Sequence, residues 1–185
     1  MQTLKNLCDA FAGESQARNR YTLYSKIAIK EGYQAVAANF ETTATQEAEH
    51  AKWLMRMIQG LKEGEETVVI ETGVATVLGT TVENLKAAIG GEHHEHQNMY
   101  PEYAKAAEEE GYAEIAKRLL SIAKAEENHE ERFKRHLVAI ENETMFKAEE
   151  AVVWQCRKCG YMHIGQEAPE VCPSCDHPQA HFERK

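Results

Sequence analysis

Twice in this chain a single glutamate on a helical stripe is followed, 33 or 34 positions later, by Glu-x-x-His on another stripe. The sets are Glu14 with Glu47 and His50, and Glu92 with Glu126 and His129. On an α-helix, residues i and i+3 lie about 60° apart around the axis and about 4.5 Å apart along it, so each Glu-x-x-His aims two side chains at one spot. Two such helices, with two helices that each bring one glutamate, make a dinuclear carboxylate site in a four-helix bundle. One pattern thus constrains the number of helices, their facing and their depth.

The positions of the acids matter more than their spacing. The first stripe runs Leu4, Leu7, Phe11, Glu14, Arg18, Tyr21, Ser25, Ala28, and the second Val36, Phe40, Thr43, Glu47, His50, Leu54, Met57, Leu61. The third runs Val82, Leu85, Ile89, Glu92, His96, Met99, and the fourth Ile115, Leu119, Ile122, Glu126, His129, Phe133, Leu137, Ile140. Glutamate is common on solvated helix faces, and one Glu-x-x-His alone would carry little weight. Here four acids interrupt four apolar rows at matching depth. Each unpaired buried carboxylate costs several kcal/mol, so the set implies cations, and two divalent ions cancel four carboxylates.

An internal repeat supports the pairing. Glu31-Gly32-Tyr33 recurs as Glu110-Gly111-Tyr112, with 15 residues from each glycine to its Glu-x-x-His glutamate. Each half is therefore an antiparallel αα-hairpin whose first helix ends on glycine. The stretch from Glu63 to Thr80, with three glycines and the β-favouring run Val68-Val69-Ile70, is long enough to cross the length of a bundle. Thr80 or Thr81 is the expected N-cap of the third helix. That helix holds one residue more than the first between its glutamate and its turn, and a π-type bulge near Met99-Tyr100-Pro101 would absorb it. Glu95, three residues after Glu92, has Ala17 as its counterpart in the first half.

The last residues form a second module. Cys156-x2-Cys159 and Cys172-x2-Cys175 make a tetrathiolate site suited to iron or to zinc. So small a module needs its metal to fold. Trp154, Tyr161 and Phe182 supply aromatic packing. Cys159-Gly160-Tyr161 and Cys172-Pro173 look like a rubredoxin, with Asp176 replacing glycine in the second knuckle.

These features together resemble the rubrerythrins over essentially the whole chain. Phe11-Ala12-Gly13-Glu14-Ser15-Gln16-Ala17-Arg18-Asn19-Arg20-Tyr21, Gly91-Glu92-His93-His94-Glu95 and Ala125-Glu126-Glu127-Asn128-His129-Glu130 are similar to the family's ligand segments. The resemblance implies an all-α, ferritin-like four-helix bundle with one long crossover over residues 1–148, followed by a rubredoxin-like β/loop domain over residues 149–185. Carried over residue by residue, it implies Glu14, Glu47, Glu92, Glu95, Glu126, His129 and a switching His50 as ligands of two irons, with a third iron on Cys156, Cys159, Cys172 and Cys175. The implied activity is a non-haem peroxidase that reduces hydrogen peroxide to water. It draws electrons from an external reductase and works as a homodimer in which one subunit's tail meets the partner's bundle. A ferroxidase or iron-handling protein shares the helical ligands, and a non-catalytic metal-binding protein could carry zinc in the tail.

The remaining candidates have plainer roles. His93 and His94 lie off the stripe, as exposed or outlying groups, and His96 is suited to a hydrogen bond near the site. Tyr21 and Tyr100 are suited to hydrogen bonds to the ligands or to packing, and Cys8 acts as a small hydrophobe. Among 185 residues no apolar run is long enough to span a membrane. A net charge of −9 argues against nucleic-acid binding. The N-terminal segment lacks signal-peptide character and four cysteines require reduction, so the expected location is the cytoplasm.

Overall fold

The computed structural model describes residues 1–64 and 66–185. Helices α1 (Gln2–Lys30) and α2 (Gln34–Leu61) form the first hairpin. Helix α3 (Thr81–His94) passes through a π-helical segment, Glu95–Met99, into α4 (Tyr100–Glu109), and α5 (Ala113–Glu141) completes the second hairpin. The expected four-helix bundle is present, with its third helix broken by the π turn just ahead of Pro101, where the extra residue was expected. Proline at the start of α4 contributes no N–H, which suits a position where the i−4 ladder is already interrupted.

The two repeated turns also orient the halves. Gly32 and Gly111 adopt φ of +85° and +87°, as left-handed helix ends require. Their preceding glutamates reach across the bundle: Glu31 accepts from the Thr81 N–H at 2.9 Å, and Glu110 accepts from the N–H groups of Gln2 and Thr3 at 2.7 and 2.9 Å. Each hairpin's turn therefore caps the first helix of the other, and the negative charge suits the positive helix end. It follows that α3 runs antiparallel to α1 and parallel to α2, the sense that a long crossover permits. Thr80 completes the start of α3 with a reciprocal capping box to Glu83.

The apolar stripes bury in two clusters on either side of the acids. Leu4, Leu7, Leu54, Tyr100, Leu119 and Ile122 lie in one; Tyr21, Tyr24, Phe40, Leu85 and Phe133 lie in the other. Arg18 departs from the expected stripe: it is exposed and Ala17 is buried in its place, because the packed seam there turns toward the i+3 row of Glu14. The crossover holds no helix or strand among the described residues. Its β-favouring run finds no strand edge to pair with; Val68 packs on the bundle while Val69 is 84% exposed. Further along, the crossover is tied to α1 by Tyr24 Oη donating to the Val77 carbonyl at 2.7 Å.

The tail folds as a three-stranded antiparallel sheet of β1 (Lys147–Cys156), β2 (Met162–Glu167) and β3 (Phe182–Arg184), with β1 central. Trp154 and Phe182 are fully buried beside Cys156 and Cys172, and Tyr161 packs against them. The Trp154 indole donates to the Gly165 carbonyl at 3.0 Å. Among the described residues no helix is long and apolar enough to cross a membrane.

Gly111 provides a test of the turn. No atom lies within 4 Å of where a Cβ would stand, so Gly111→Ala adds only backbone strain. It should lower stability by about 1–2 kcal/mol, read from the urea midpoint of the metal-loaded protein. An unchanged midpoint would mean that the turn does not need the left-handed conformation.

Candidate metal centres

Six of the seven expected bundle ligands converge at mid-height. Glu14 (α1), Glu47 (α2), Glu92 (α3), Glu126 and His129 (α5) are almost wholly buried, and the side chain of His50 (α2) is 15% exposed. They form two donor sets that share Glu47 and Glu126. In the first, His50 Nδ1 lies 2.8 Å from Glu126 Oε1, 3.0 Å from Glu47 Oε2 and 3.8 Å from Glu14 Oε2. In the second, His129 Nδ1 lies 2.8 Å from Glu126 Oε2, 3.0 Å from Glu47 Oε1 and 3.3 Å from Glu92 Oε2. The i, i+3 spacing of each Glu-x-x-His produces this directly, and the imidazole rings stack with centroids 5.8 Å apart.

The donors fit two metal ions better than they fit one another. Glu14 Oε2, Glu47 Oε1, Glu92 Oε2, both Glu126 oxygens and His129 Nδ1 are buried without a hydrogen-bond partner. Three oxygens crowd one imidazole nitrogen at contact distance, and a single N–H can serve only one of them. An ion about 2.1 Å from two donors at right angles leaves those donors about 3.0 Å apart, which matches the close spacings within each set.

The other oxygens of the terminal glutamates are held from across the bundle. Tyr21 Oη donates to Glu92 Oε1 at 2.5 Å, and Tyr100 Oη donates to Glu14 Oε1. Each half's tyrosine thus orients the other half's ligand. Tyr21 is seven residues after Glu14 and Tyr100 is eight after Glu92, so the π segment supplies the residue that lets Tyr100 reach inward. Both phenols are pushed well above their ordinary pKa, by burial first and then by these carboxylates.

The electrostatics without cations are those of a crowded acid cluster. Burial, then the charges of Glu126 and Glu47, holds the Glu14 carboxyl well above the ordinary range. Burial raises Glu92 to about 8, with the same neighbours adding. Burial also opposes the ionised forms of Glu47 and His129, but it is outweighed, for Glu47 by His129 and His50 and for His129 by Glu126 and Glu47, so Glu47 falls to about 2 and His129 rises to about 12. The acids and imidazoles therefore share protons as a group.

Glu95 stands at the start of the π segment and outside both donor sets. Burial of its carboxyl, followed by the charges of Glu92, Glu14, Glu126 and Glu47, raises its pKa well above normal, so it faces the same cluster. His96 makes the expected kind of hydrogen bond, its Nε2 lying 2.8 Å from Glu130 Oε2. His93 and His94 are exposed. Glu130 was not singled out from the sequence although it is only 4% exposed. Its one legible sign is that it directly follows His129, a candidate ligand, which places it on the flank facing α3.

In the tail the four cysteines close a second site. Cys156 and Cys175 Sγ lie 3.8 Å apart and Cys159 and Cys172 Sγ 3.7 Å apart. A tetrahedron of sulfurs about 2.3 Å from a metal has edges of about 3.8 Å. Gly160 and Asp176 take φ of +80° and +56°, so aspartate meets the knuckle geometry that glycine meets in the first loop. The Tyr161 N–H on Cys159 sulfur lowers that thiol to about 6. The His177 N–H acts likewise on Cys175, but the neighbouring sulfurs prevail and raise it to about 12. Four thiolates in this space need a cation.

Fold and donor sets define a ferritin-like helical bundle built for two metal ions, joined to a rubredoxin-like tetrathiolate domain. The rubrerythrin family model matches residues 5–137, and the model for the rubrerythrin rubredoxin-like domain matches residues 154–183. The chain is 53% identical to a putative rubrerythrin of Methanocaldococcus jannaschii, an alignment that covers 100% of this chain and 93% of the relative. It is 47% identical to a rubrerythrin of Nitratidesulfovibrio vulgaris, over 98% of this chain and 93% of that one. A solved structure of nigerythrin in its fully reduced, all-ferrous state superposes with a TM-score of 0.66 at 31% identity, covering 99% of this chain and 86% of that one. The chain belongs to the rubrerythrin family. Membership implies a di-iron site in the bundle and an iron site on the four cysteines, and the residues found here fit both.

The acid cluster predicts a pH dependence for metal-free protein. A group whose folded pKa is raised stabilises fully below its unfolded pKa and loses that contribution as pH rises through the folded value. For Glu92 the loss runs from 4.5 to about 8, and for His129 it begins near 6.5 and runs to about 12. The Glu47 contribution, from about 2 to 4.5, is already complete at pH 5. Chelator-treated protein should therefore melt lower at pH 8 than at pH 5, by on the order of 5 °C more than the metal-loaded protein does. Equal pH profiles with and without metal would contradict the cluster described above.

Proposed function

We propose that this chain is a non-haem peroxidase that reduces hydrogen peroxide to water. In this reading residues 1–148 carry the reaction, and residues 149–185 relay electrons singly from an external reductase. The observation that carries the proposal is that one polypeptide holds both a two-ion donor set in a protected core and a tetrathiolate site. Iron, if held by Glu14, Glu47, His50, Glu92, Glu126 and His129 and by the four cysteines, would supply two-electron redox chemistry in the bundle and one-electron redox chemistry in the tail.

The side chains have distinct tasks. Glu47 and Glu126 turn one oxygen into each donor set and so hold the two ions at a fixed separation. Tyr21 and Tyr100 fix one oxygen of Glu92 and Glu14, leaving the other free to ligate. Glu14, Glu47, Glu92 and Glu126 together balance two divalent ions. Oxidation leaves positive charge uncompensated, which Glu95 is suited to meet, whereas neutral His50 suits the reduced pair. We assign these two residues to one exchangeable coordination position. In this assignment His50 would serve the reduced pair and Glu95 the oxidised one. His50 also borders a solvent-open pocket of about 160 Å³ with Trp53, Arg118, Ser121 and Ile122, through which a molecule as small as peroxide could reach it.

We further assign the relay to a homodimer. The short helix Gln179–His181 packs near the start of α2. Glu47 lies 13 residues beyond Gln34, or about 20 Å along the helix, so a chain's own tail is remote from its dinuclear site. Transfer from one subunit's tail to the partner's bundle removes that distance. The tetrathiolate requires reducing conditions, which supports a cytoplasmic location.

Iron-replete protein should contain three irons per chain, and peroxide should oxidise the fully reduced protein faster than oxygen does. Zinc alone in the tail, or oxygen as the much faster oxidant, would favour metal binding or iron oxidation instead. Cys159→Ser should abolish the tetrathiolate visible band and lower multiple-turnover peroxidase activity at least about tenfold, while one equivalent of peroxide still oxidises the reduced bundle. Retention of full turnover would remove the tail from the reaction. Glu95→Ala should still assemble a reduced di-iron site but raise its reduction potential, and an unchanged potential would exclude Glu95 from the oxidised site.

A further inference from the structure

Three residues of the bundle site are each followed by another side chain able to ligate metal: Glu92 by His93, Glu95 by His96, and His129 by Glu130. One step along a helix turns the side chain by about 100°. Predecessors that face one interior point therefore send their successors together to a neighbouring point, in the groove between the third helix and α5. His93 Nδ1 lies 3.2 Å from Glu130 Oε1, and His96 Nε2 lies 2.8 Å from Glu130 Oε2. The three donor atoms all fall within 4.8 Å of one another. The imidazole rings meet edge to face with centroids 5.4 Å apart.

The cluster has a buried floor and an open mouth. The Glu130 and His96 side chains are 6% and 7% exposed, whereas His93 is 56% exposed. Two other polar groups touch it. Lys134 Nζ lies 2.7 Å from Glu130 Oε1, and the Gln97 amide lies 3.2 Å from the second ring nitrogen of His96. None of these residues belongs to the dinuclear donor sets.

We propose that His93, His96 and Glu130 form a third metal site, which takes a divalent first-row cation such as Zn²⁺ or Fe²⁺ from solvent. Two imidazoles and one carboxylate are a sufficient donor set for such ions and leave coordination positions open on the solvent side. With its amide turned so that Oε1 faces the ring, Gln97 would accept from the far N–H of a metal-bound His96, as outer partners of metal-bound histidines do. Lys134 is the competitor: its ammonium occupies a carboxylate oxygen, but its side chain is 52% exposed and can swing into water. The site depends only on these side chains and not on which ions fill the inner sets.

The test uses the full-length protein with its resident metals. Zn²⁺ is added during equilibrium dialysis while iron content and the visible spectrum are followed, and Zn²⁺-soaked crystals are measured at the zinc edge. One further equivalent should bind without loss of iron, with an anomalous peak about 2.0–2.3 Å from His93 Nδ1 and His96 Nε2. His93→Ala, a change at an exposed position, should weaken that equivalent at least about tenfold. Lys134→Gln should tighten it, a change of opposite sign that general damage to the fold does not produce. A crystal that holds added zinc elsewhere but none at these side chains would overturn the proposal, as would equal affinity in the His93 variant. Neither readout uses turnover, so a failure of the peroxidase reading leaves this result independent.

Discussion

Mutual repulsion among carboxylates buried in one layer of a helical bundle is the constraint on which the rest of this structure depends. Glu14, Glu47, Glu92 and Glu126 are each at most 1% exposed, and several of their oxygens have no hydrogen-bond partner. In a low-dielectric core such a cluster is tolerable only when protonated, paired with imidazolium or bound to cations. The two histidines sit where they can answer the charge in part, but two nitrogens cannot serve the oxygens around them. The same spacings that make the group poor as a hydrogen-bond network make it suitable for two ions.

The quasi-symmetry of the bundle organises that charge. Each hairpin contributes one Glu-x-x-His, whose glutamate belongs to both donor sets, and one further glutamate; each tyrosine orients the opposite half's glutamate, and each turn caps the opposite half's helix. The halves therefore hold one another at both the surface and the centre. Symmetry is broken by one inserted residue, which produces the π segment, turns Tyr100 onto Glu14 and begins with Glu95. An insertion that left the helix regular would rotate every later residue of that helix by about 100° and lose the facing of the stripe. The local π turn confines the change to a few residues.

The tail applies the same electrostatic logic with softer ligands. Four sulfurs share one tetrahedron; the Tyr161 N–H depresses Cys159, whereas burial and the neighbouring sulfurs raise Cys175. The sheet of three short strands supplies the two knuckles and a small aromatic core. Joining this module to the bundle gives one chain two kinds of metal site, which is the basis for the proposal that it is more than a metal store.

Much of this was legible in the sequence, because helical periodicity converts spacing into direction. The four stripes, the two Glu-x-x-His pairs, the glycine turns, the Thr80 cap and the paired cysteines are all local patterns, and local geometry alone dictates what they form. Arg18 and Ala17 mark one limit: neighbouring positions can serve the same stripe, and packing selected the smaller residue for the interior. Val68-Val69-Ile70 mark another, since a strand needs an edge to pair with and the bundle provides none. Three relations belong to the tertiary structure alone: the crossed tyrosines, the reciprocal capping by Glu31 and Glu110, and the meeting of His93, His96 and Glu130. Each joins residues from different helices, and their approach depends on how far those helices slide and rotate against each other. Side-chain packing across the whole core sets that register, and no run of neighbouring residues encodes it.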